Sequence, residues 1–341
     1  GRMRHANVSF FVPMAGCPHR CSFCDQQSIT GETKCPTPEE VDACCAKAAE
    51  ALAGFSSESE IAFFGGSFTM IPRETMVSLL KPAAKWVEQG AFSGIRCSTR
   101  PDAIDEEILD LLARYHVRSI ELGAQSSSDD VLAANGRGHT FFDTQRASAL
   151  IRERGFSLGL QMMTGLPADT PELDLRTAED FIRLRPETMR IYPALVLDHT
   201  PMAALWREGG YRPQTIEEAA LLCAELLDLF EEAGIRVIRV GLHAEPSLEK
   251  NLLAGPYHPA FREIAESLRF YKKITPEILK YPEGALTVFV NPSEQSKAAG
   301  QKCANLSRWK EAGYDVRILG DPSLPCGTFR ICPSETTMIR K

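Results

Sequence analysis

The chain has 341 residues, is 44% hydrophobic and 24% charged, and carries 38 Lys/Arg against 45 Asp/Glu, a net charge of −7. That size suits one large domain with a small companion, and that composition excludes disordered, collagenous and fibrous classes. No apolar run approaches the roughly 20 residues of a membrane span. The N-terminus lacks the order of a secretory signal, so a cytoplasmic protein with no membrane partner is expected. The negative balance disfavours indiscriminate nucleic-acid binding. It hides an asymmetry, because residues 270–341 carry 11 Lys/Arg against 7 Asp/Glu.

In chain order, short β-branched or apolar runs at 7–12, 60–64, 94–98, 119–123, 157–163, 188–193 and 236–240 read as strands. Amphipathic stretches at 38–52, 73–88, 105–115, 144–154, 173–184 and 215–232 read as helices between them. Acidic first turns open several of these, and Gly90, Gly155 and Gly234 close three. Repeated strand–helix units predict an α/β fold, a parallel sheet curved into a partial (β/α) barrel. The expected division is a barrel over 1–245, a connecting helical segment over 246–283 and a small α/β module with tail over 284–341. In a barrel the chemistry sits at the C-terminal ends of the strands. The notable residues follow those ends.

Eleven cysteines without a secretory signal point to a reducing compartment rather than disulfides. Cys17, Cys21 and Cys24 follow the first strand with three and two intervening residues. Such a loop can place three thiolates on three corners of a 4Fe–4S cubane. Three ligands leave one iron open to chelate S-adenosylmethionine (SAM). Reductive cleavage would then yield a 5′-deoxyadenosyl radical, and an electron donor such as flavodoxin or ferredoxin is implied. The alternative is a zinc site with His19 or Cys35 as a fourth ligand.

Six further positions read as cofactor contacts, and one as a substrate position. Gly65, Gly66 and Ser67 end the second strand, where missing side chains let a ligand approach the backbone. Arg137, in Asn135-Gly-Arg-Gly-His-Thr140, offers a bidentate partner for the SAM carboxylate. Gln125 and Ser126 after the fourth strand offer polar groups to the ribose, or else cap a buried strand end. Tyr192 ends the sixth strand, where a substrate would lie or where a ring would wedge the barrel.

Five segments carry a resemblance: CPHRCSFCDQQSITG (17–31), FFGGSFT (63–69), STRPD (98–102), IELGAQSSSDDVL…NGRGHT (120–140) and MMTGLP…RIYPALVLDHT (162–200). Together the chain resembles the radical-SAM superfamily, and within it the group of the catalytic subunit of Elongator and its prokaryotic relatives. The likeness covers roughly the first 240 residues and sets the chain apart from the oxygen-independent coproporphyrinogen oxidases. It implies a partial (β/α) barrel, a 4Fe–4S cluster, and SAM contacts at Gly65, Gly66, Ser67, Gln125, Arg137 and near Gln161. Ser98 stands where the group often has Glu, a position that implies a further SAM contact. The relatives continue into an acetyltransferase domain for which this chain has no room, so that reaction is not carried over.

Beyond 284 the pattern is strand, helix, a Gly300-Gln-Lys-Cys303 turn, helix, strand. It resembles the core of single-stranded-RNA-binding KH domains, with Cys303 at the second glycine. Lys297, Gly300, Lys302, Arg308 and Lys310 would then contact phosphate. The alternative is a packing module with a solvated basic face. Cys303, Cys326 and Cys332 lack a compact ligand motif. The leading expectation is a radical-SAM enzyme that modifies a base in RNA, with tRNA favoured. The rivals are a small-molecule radical-SAM enzyme and an RNA-binding protein with a structural or redox cluster.

Overall fold

Polar caps at regular intervals convert the strand–helix alternation into separate elements. Thr37, Asp105, Thr140 and Thr170 each accept a backbone N–H at the start of a helix. Thr140 and Asp143 form a reciprocal capping box, which starts that helix at Phe141 rather than at 144. The computed structural model of the chain describes residues 7–13, 21–23, 34–53 and 58–334.

The strands are β1 Val8–Phe11, β2 Glu60–Phe64, β3 Gly94–Thr99, β4 Val117–Gln125, β5 Ser157–Thr164 and β6 Thr188–Pro193. They continue with β7 Val196–Leu197, β8 Arg236–Val240, β9 Leu252–Ala254, β10 Gly284–Val290, β11 Tyr314–Gly320 and β12 Phe329–Pro333. The helices are α1 Pro38–Leu52, α2 Arg73–Glu88, α3 Glu106–Arg114, α4 Asp129–Ala134, α5 Phe141–Glu153 and α6 Pro171–Arg183. They continue with α7 Pro201–Arg207, α8 Ile216–Glu232, α9 Pro246–Asn251, α10 Phe261–Ile278, α11 Gln295–Ala299 and α12 Ala304–Glu311.

Seven parallel strands in the order β1-β2-β3-β4-β5-β6-β8 form the main sheet, with β1 and β8 as its edges. This is the α/β half-barrel that the alternation implied. Strand periodicity of two sends alternate side chains to opposite faces. One face, with Ile95, Cys97, Ile120, Leu122, Leu160 and Met162, is fully buried. The other holds the polar side chains described below.

The chain divides into two compact units, Gly1–Thr215 with Leu229–Tyr257, and Ile216–Asp228 with His258–Lys341. In the second unit β10 pairs parallel with β11 and antiparallel with β12. The predicted strand–helix–turn–helix–strand order is present; β12, a short Pro-bounded run, escaped the periodicity. Trp309 is 1% exposed, stacks on Tyr271 and donates to Thr275 Oγ1 at 2.9 Å, closing this unit's core. Short elements α4, α7, α9, β7 and β9 also escaped, being too brief to show a period.

The turn after β5 stores a carboxyl pair. Asp174, 1% exposed, accepts from Gly165 N at 3.2 Å. Burial first, then the adjoining Asp169, pushes its pKa well above the carboxylate range. Burial raises Asp169 as well, although the Thr170 amide at 2.8 Å works against this. Burial and mutual repulsion disfavour two charges here, so the pair holds a proton in the folded chain. The folded chain therefore keeps a proton that the unfolded chain releases above about pH 4. The pair's contribution to stability is complete only below that pH and declines as pH rises toward the elevated folded value. Asp174→Asn should flatten the dependence of melting temperature on pH between about 5 and 8; an unchanged slope would refute the retained proton.

Candidate active site

The C-terminal halves of the main strands enclose a cavity of about 670 Å³. Its lining follows the period of two: Ser9 and Phe11, Arg96 and Ser98, Glu121, Gly123 and Gln125, Gln161 and Met163, Arg190 and Tyr192. Pockets of about 300–1,000 Å³ take ligands of cofactor size.

Cys21 lies on this wall, 3% exposed. Two guanidinium groups point at its sulfur, Arg137 Nη1 at 3.5 Å and Arg100 Nη1 at 3.9 Å. Arg100, 1% exposed, is held by Asp102 through Nε–Oδ1 at 3.0 Å and donates to the Arg137 carbonyl. Arg137 also donates through Nη2 to the Gly123 carbonyl. A Cβ at Gly123 would stand 2.8 Å from that nitrogen, so glycine there lets Arg137 reach the sulfur. Burial pulls the Arg137 pKa down and Cys21 works against it. Two buried cations aimed at one sulfur suit a thiolate.

Asn135, the first residue of the NGRGHT segment, ties Cys21's neighbour in place. Ser22 N donates to the Asn135 carbonyl at 2.9 Å, and the two side chains bond at 2.5 Å. Asn135 Nδ2 in turn donates to Val131 O and Pro167 O at 2.8 and 3.0 Å. Met202 N, on α7, donates to Ser22 O at 3.0 Å. His139 Nε2 meets the Ala124 carbonyl at 3.1 Å, and burial first, then Arg137, pushes its pKa down to about 3, so it stays neutral.

Gly65 and Gly66 have φ of 131° and 85°, and a Cβ on Gly65 would clash with the Val12 carbonyl at 2.2 Å. Only glycine fits that approach. Ser67 and Gln125 line the cavity with Ser67 Oγ and Gln125 Oε1 buried and unpartnered among the described residues, as is Arg137 Nε. Gln125 adopts φ 65°, a left-handed conformation held at the strand end, as strained residues at functional sites are. Ser98 lines the cavity beside Glu121, its register partner.

One placement, that of Ser126, differs from the sequence reading, while Gln161 and Tyr192 line the cavity. Ser126 does not line the cavity; the turn at Gln125 points its hydroxyl at Ser128 N, 3.0 Å, and Thr177 Oγ1, 3.4 Å, where it serves the start of α4. Gln161 lines the cavity but spends Nε2 on Glu121 Oε1. Tyr192 sits on the wall beside Arg190, with burial raising its pKa. Cys17 and Cys24 lie outside the described residues.

The sequence reading passed over Arg100 and Glu121. Glu121, 3% exposed, accepts from Arg96 at 3.1 Å, from Arg190 at 2.9 Å and from Gln161. The available signal was a carboxylate within the Ile-Glu-Leu run of β4 for Glu121 and a charged residue directly after β3 for Arg100.

Comparison with known proteins agrees with this geometry. Residues 11–181 match the Radical SAM superfamily, and residues 186–269 match the Radical_SAM C-terminal domain. The chain belongs to the radical SAM superfamily. It is 31% identical over 124 residues to the tRNA uridine(34) acetyltransferase of Methanocaldococcus jannaschii, covering 36% of this chain and 23% of that protein. It is 27% identical over 226 residues to human Elongator complex protein 3, covering 60% and 41%. The solved archaeal Elp3 of Methanocaldococcus infernus shares the fold, with a TM-score of 0.62 and 19% identity over 81% of this chain and 64% of that one. The chain thus spans about a quarter of the length of the acetyltransferase it matches.

A 4Fe–4S cluster and SAM are the cofactors of this superfamily, and the residues fit them. The buried sulfur faces two cations, and Ser67, Gln125 and Arg137, each with a buried polar atom unpartnered among the described residues, line a cavity of the right size. Arg137→Ala should weaken SAM binding by roughly tenfold or more, the loss of a charge-assisted contact. Cys21→Ala should abolish the cluster's visible absorbance in anaerobically reconstituted protein. Isothermal titration with SAM and iron analysis decide both, and unchanged affinity with iron retained would return these residues to a structural role.

Proposed function

We propose that this radical SAM enzyme modifies a base in RNA, with tRNA favoured. The observation that supports the RNA substrate is the likeness, over 36% of this chain, to a protein named for acting on tRNA uridine. When bound, the cluster and SAM supply the reductive cleavage that begins hydrogen abstraction from the substrate.

The chain's own residues bind and orient. Cys17, Cys21 and Cys24 would hold the cluster, with Arg137 and Arg100 balancing the charge on Cys21. The open backbone at Gly65 and Gly66, with Ser67, Gln125 and Ser98, would hold SAM against the strand ends. Gln161 and Glu121 form a rigid polar floor, tied by Arg96 and Arg190, that fixes where a substrate can rest. The apolar wall of Phe11, Met163 and Leu195 excludes water from the reacting atoms. Electrons would come from a flavodoxin or ferredoxin.

The terminal module supports the RNA reading only in part. Lys297, Lys302 and Lys310 are exposed, whereas Arg308 lies over Tyr271 and faces Glu217 at 3.8 Å. The Gly300–Cys303 turn bonds inward: Gln301 N donates to Ser267 Oγ at 3.2 Å and Cys303 N to Gly300 O at 2.9 Å. Those amides would otherwise cradle phosphate. This observation favours the second reading, a small-molecule substrate with the module as packing. Lys302→Ala separates the two: if the turn faces phosphate, the salt slope of tRNA binding falls by about one unit. An unchanged slope leaves the module to packing.

The function itself is tested by mass spectrometry of nucleosides from tRNA and rRNA of a deletion strain and its parent. One modified nucleoside should vanish from tRNA and return with the wild-type gene but not with Cys21→Ala. Identical nucleoside profiles would sink the RNA reading and move the small-molecule reading ahead.

A further inference from the structure

Arg100 follows β3 directly, and its guanidinium is held at each nitrogen. Nε donates to Asp102 Oδ1 at 3.0 Å and Nη2 to Asp102 Oδ2 at 3.4 Å, the bidentate fork of an arginine–carboxylate pair. Nη2 also donates to the Arg137 carbonyl. Nη1 then meets Cys21 Sγ at 3.9 Å. The fork fixes the plane of the group, and its third corner faces the sulfur.

Arg137 approaches the same sulfur from the loop after α4. Its Nη1 lies at 3.5 Å, while Nη2 is held by the Gly123 carbonyl. Arg100 holds the Arg137 backbone and the two side chains share one acceptor, so neither turns away without disturbing the other. All three residues are enclosed: Arg100 is 1%, Cys21 3% and Arg137 7% exposed. A fixed charge so near a buried sulfur acts with little screening.

Cluster potentials follow charge, hydrogen bonds to the sulfurs and solvent exposure. We propose that Arg100, acting through Cys21, raises the reduction potential of the 4Fe–4S cluster and so eases the electron transfer that opens the reaction. One electron leaves a donor of the flavodoxin or ferredoxin class and enters the cluster, and the cation beside the sulfur stabilises it there. Asp102, its side chain 22% exposed, has the opposite electrostatic sense: it orients Arg100 and offsets part of its charge. The effect is the difference made by one charge at one place, so it holds whatever other charges surround the cysteine loop. This role rests on Cys21 as a cluster ligand, which iron analysis of Cys21→Ala tests separately, and is independent of the RNA substrate.

The test is a redox titration of the full, anaerobically reconstituted chain, followed by the electron paramagnetic resonance signal of the reduced cluster. SAM is left out, because Arg137 is expected to contact it. Arg100→Gln should make reduction about tenfold less favourable, a fall of about 59 mV for a one-electron couple. Arg100→Lys keeps the charge without the fork and should recover at least half of that fall. Asp102→Asn should move the potential upward, because it removes the offsetting carboxylate. A merely structural role for the pair gives no such opposition of sign. An assembled cluster with unchanged potential in Arg100→Gln would overturn the tuning, as would an equal fall in Arg100→Lys or any fall in Asp102→Asn. Should Arg100→Gln hold no cluster, Asp102→Asn decides: a raised potential supports the tuning, and an unchanged or lowered one refutes it.

Discussion

Two buried guanidinium groups converging on one sulfur set the terms for the rest of the barrel. A cation as enclosed as Arg100 or Arg137 needs a counter-charge, or folding bears its desolvation alone. Asp102 answers for Arg100, and Cys21 lies within reach of both. The glycine at 123 follows from this, since a Cβ there would stand 2.8 Å from the Arg137 guanidinium. A metal-bound thiolate would complete the balance, which makes the cofactor part of the barrel's electrostatic design.

The same economy governs the cavity floor. Glu121 is nearly inaccessible, yet it anchors three side chains from three other strands. Such a network is rigid only while every member is satisfied.

Anchoring of the cysteine segment is divided among distant parts of the chain. Ser22 is held by Asn135 and by the start of α7, and Asn135 reaches the turn after β5. The NGRGHT segment thus holds Ser22 through Asn135 and meets the Cys21 sulfur through Arg137.

Period and spacing were enough to read the half-barrel and the 4Fe–4S and SAM cofactors. Hydrophobic alternation and thiolate spacing are local properties, written within a dozen residues. Arg137 and the Gly65–Gly66 turn were legible for the same reason. What depended on the fold was which polar groups face each other. Ser126 and Gln125 are neighbours, but one backbone rotation sends their side chains to different places. Arg96 and Arg190 stand 25 and 69 residues from Glu121 and meet it only through strand register. Likewise the Gly300 turn looked open to phosphate until α10 supplied Ser267 to receive its amide. Sequence determined the elements and the cofactor chemistry; tertiary structure alone decided the partners, because hydrogen bonds and charges act over a few ångströms regardless of distance along the chain.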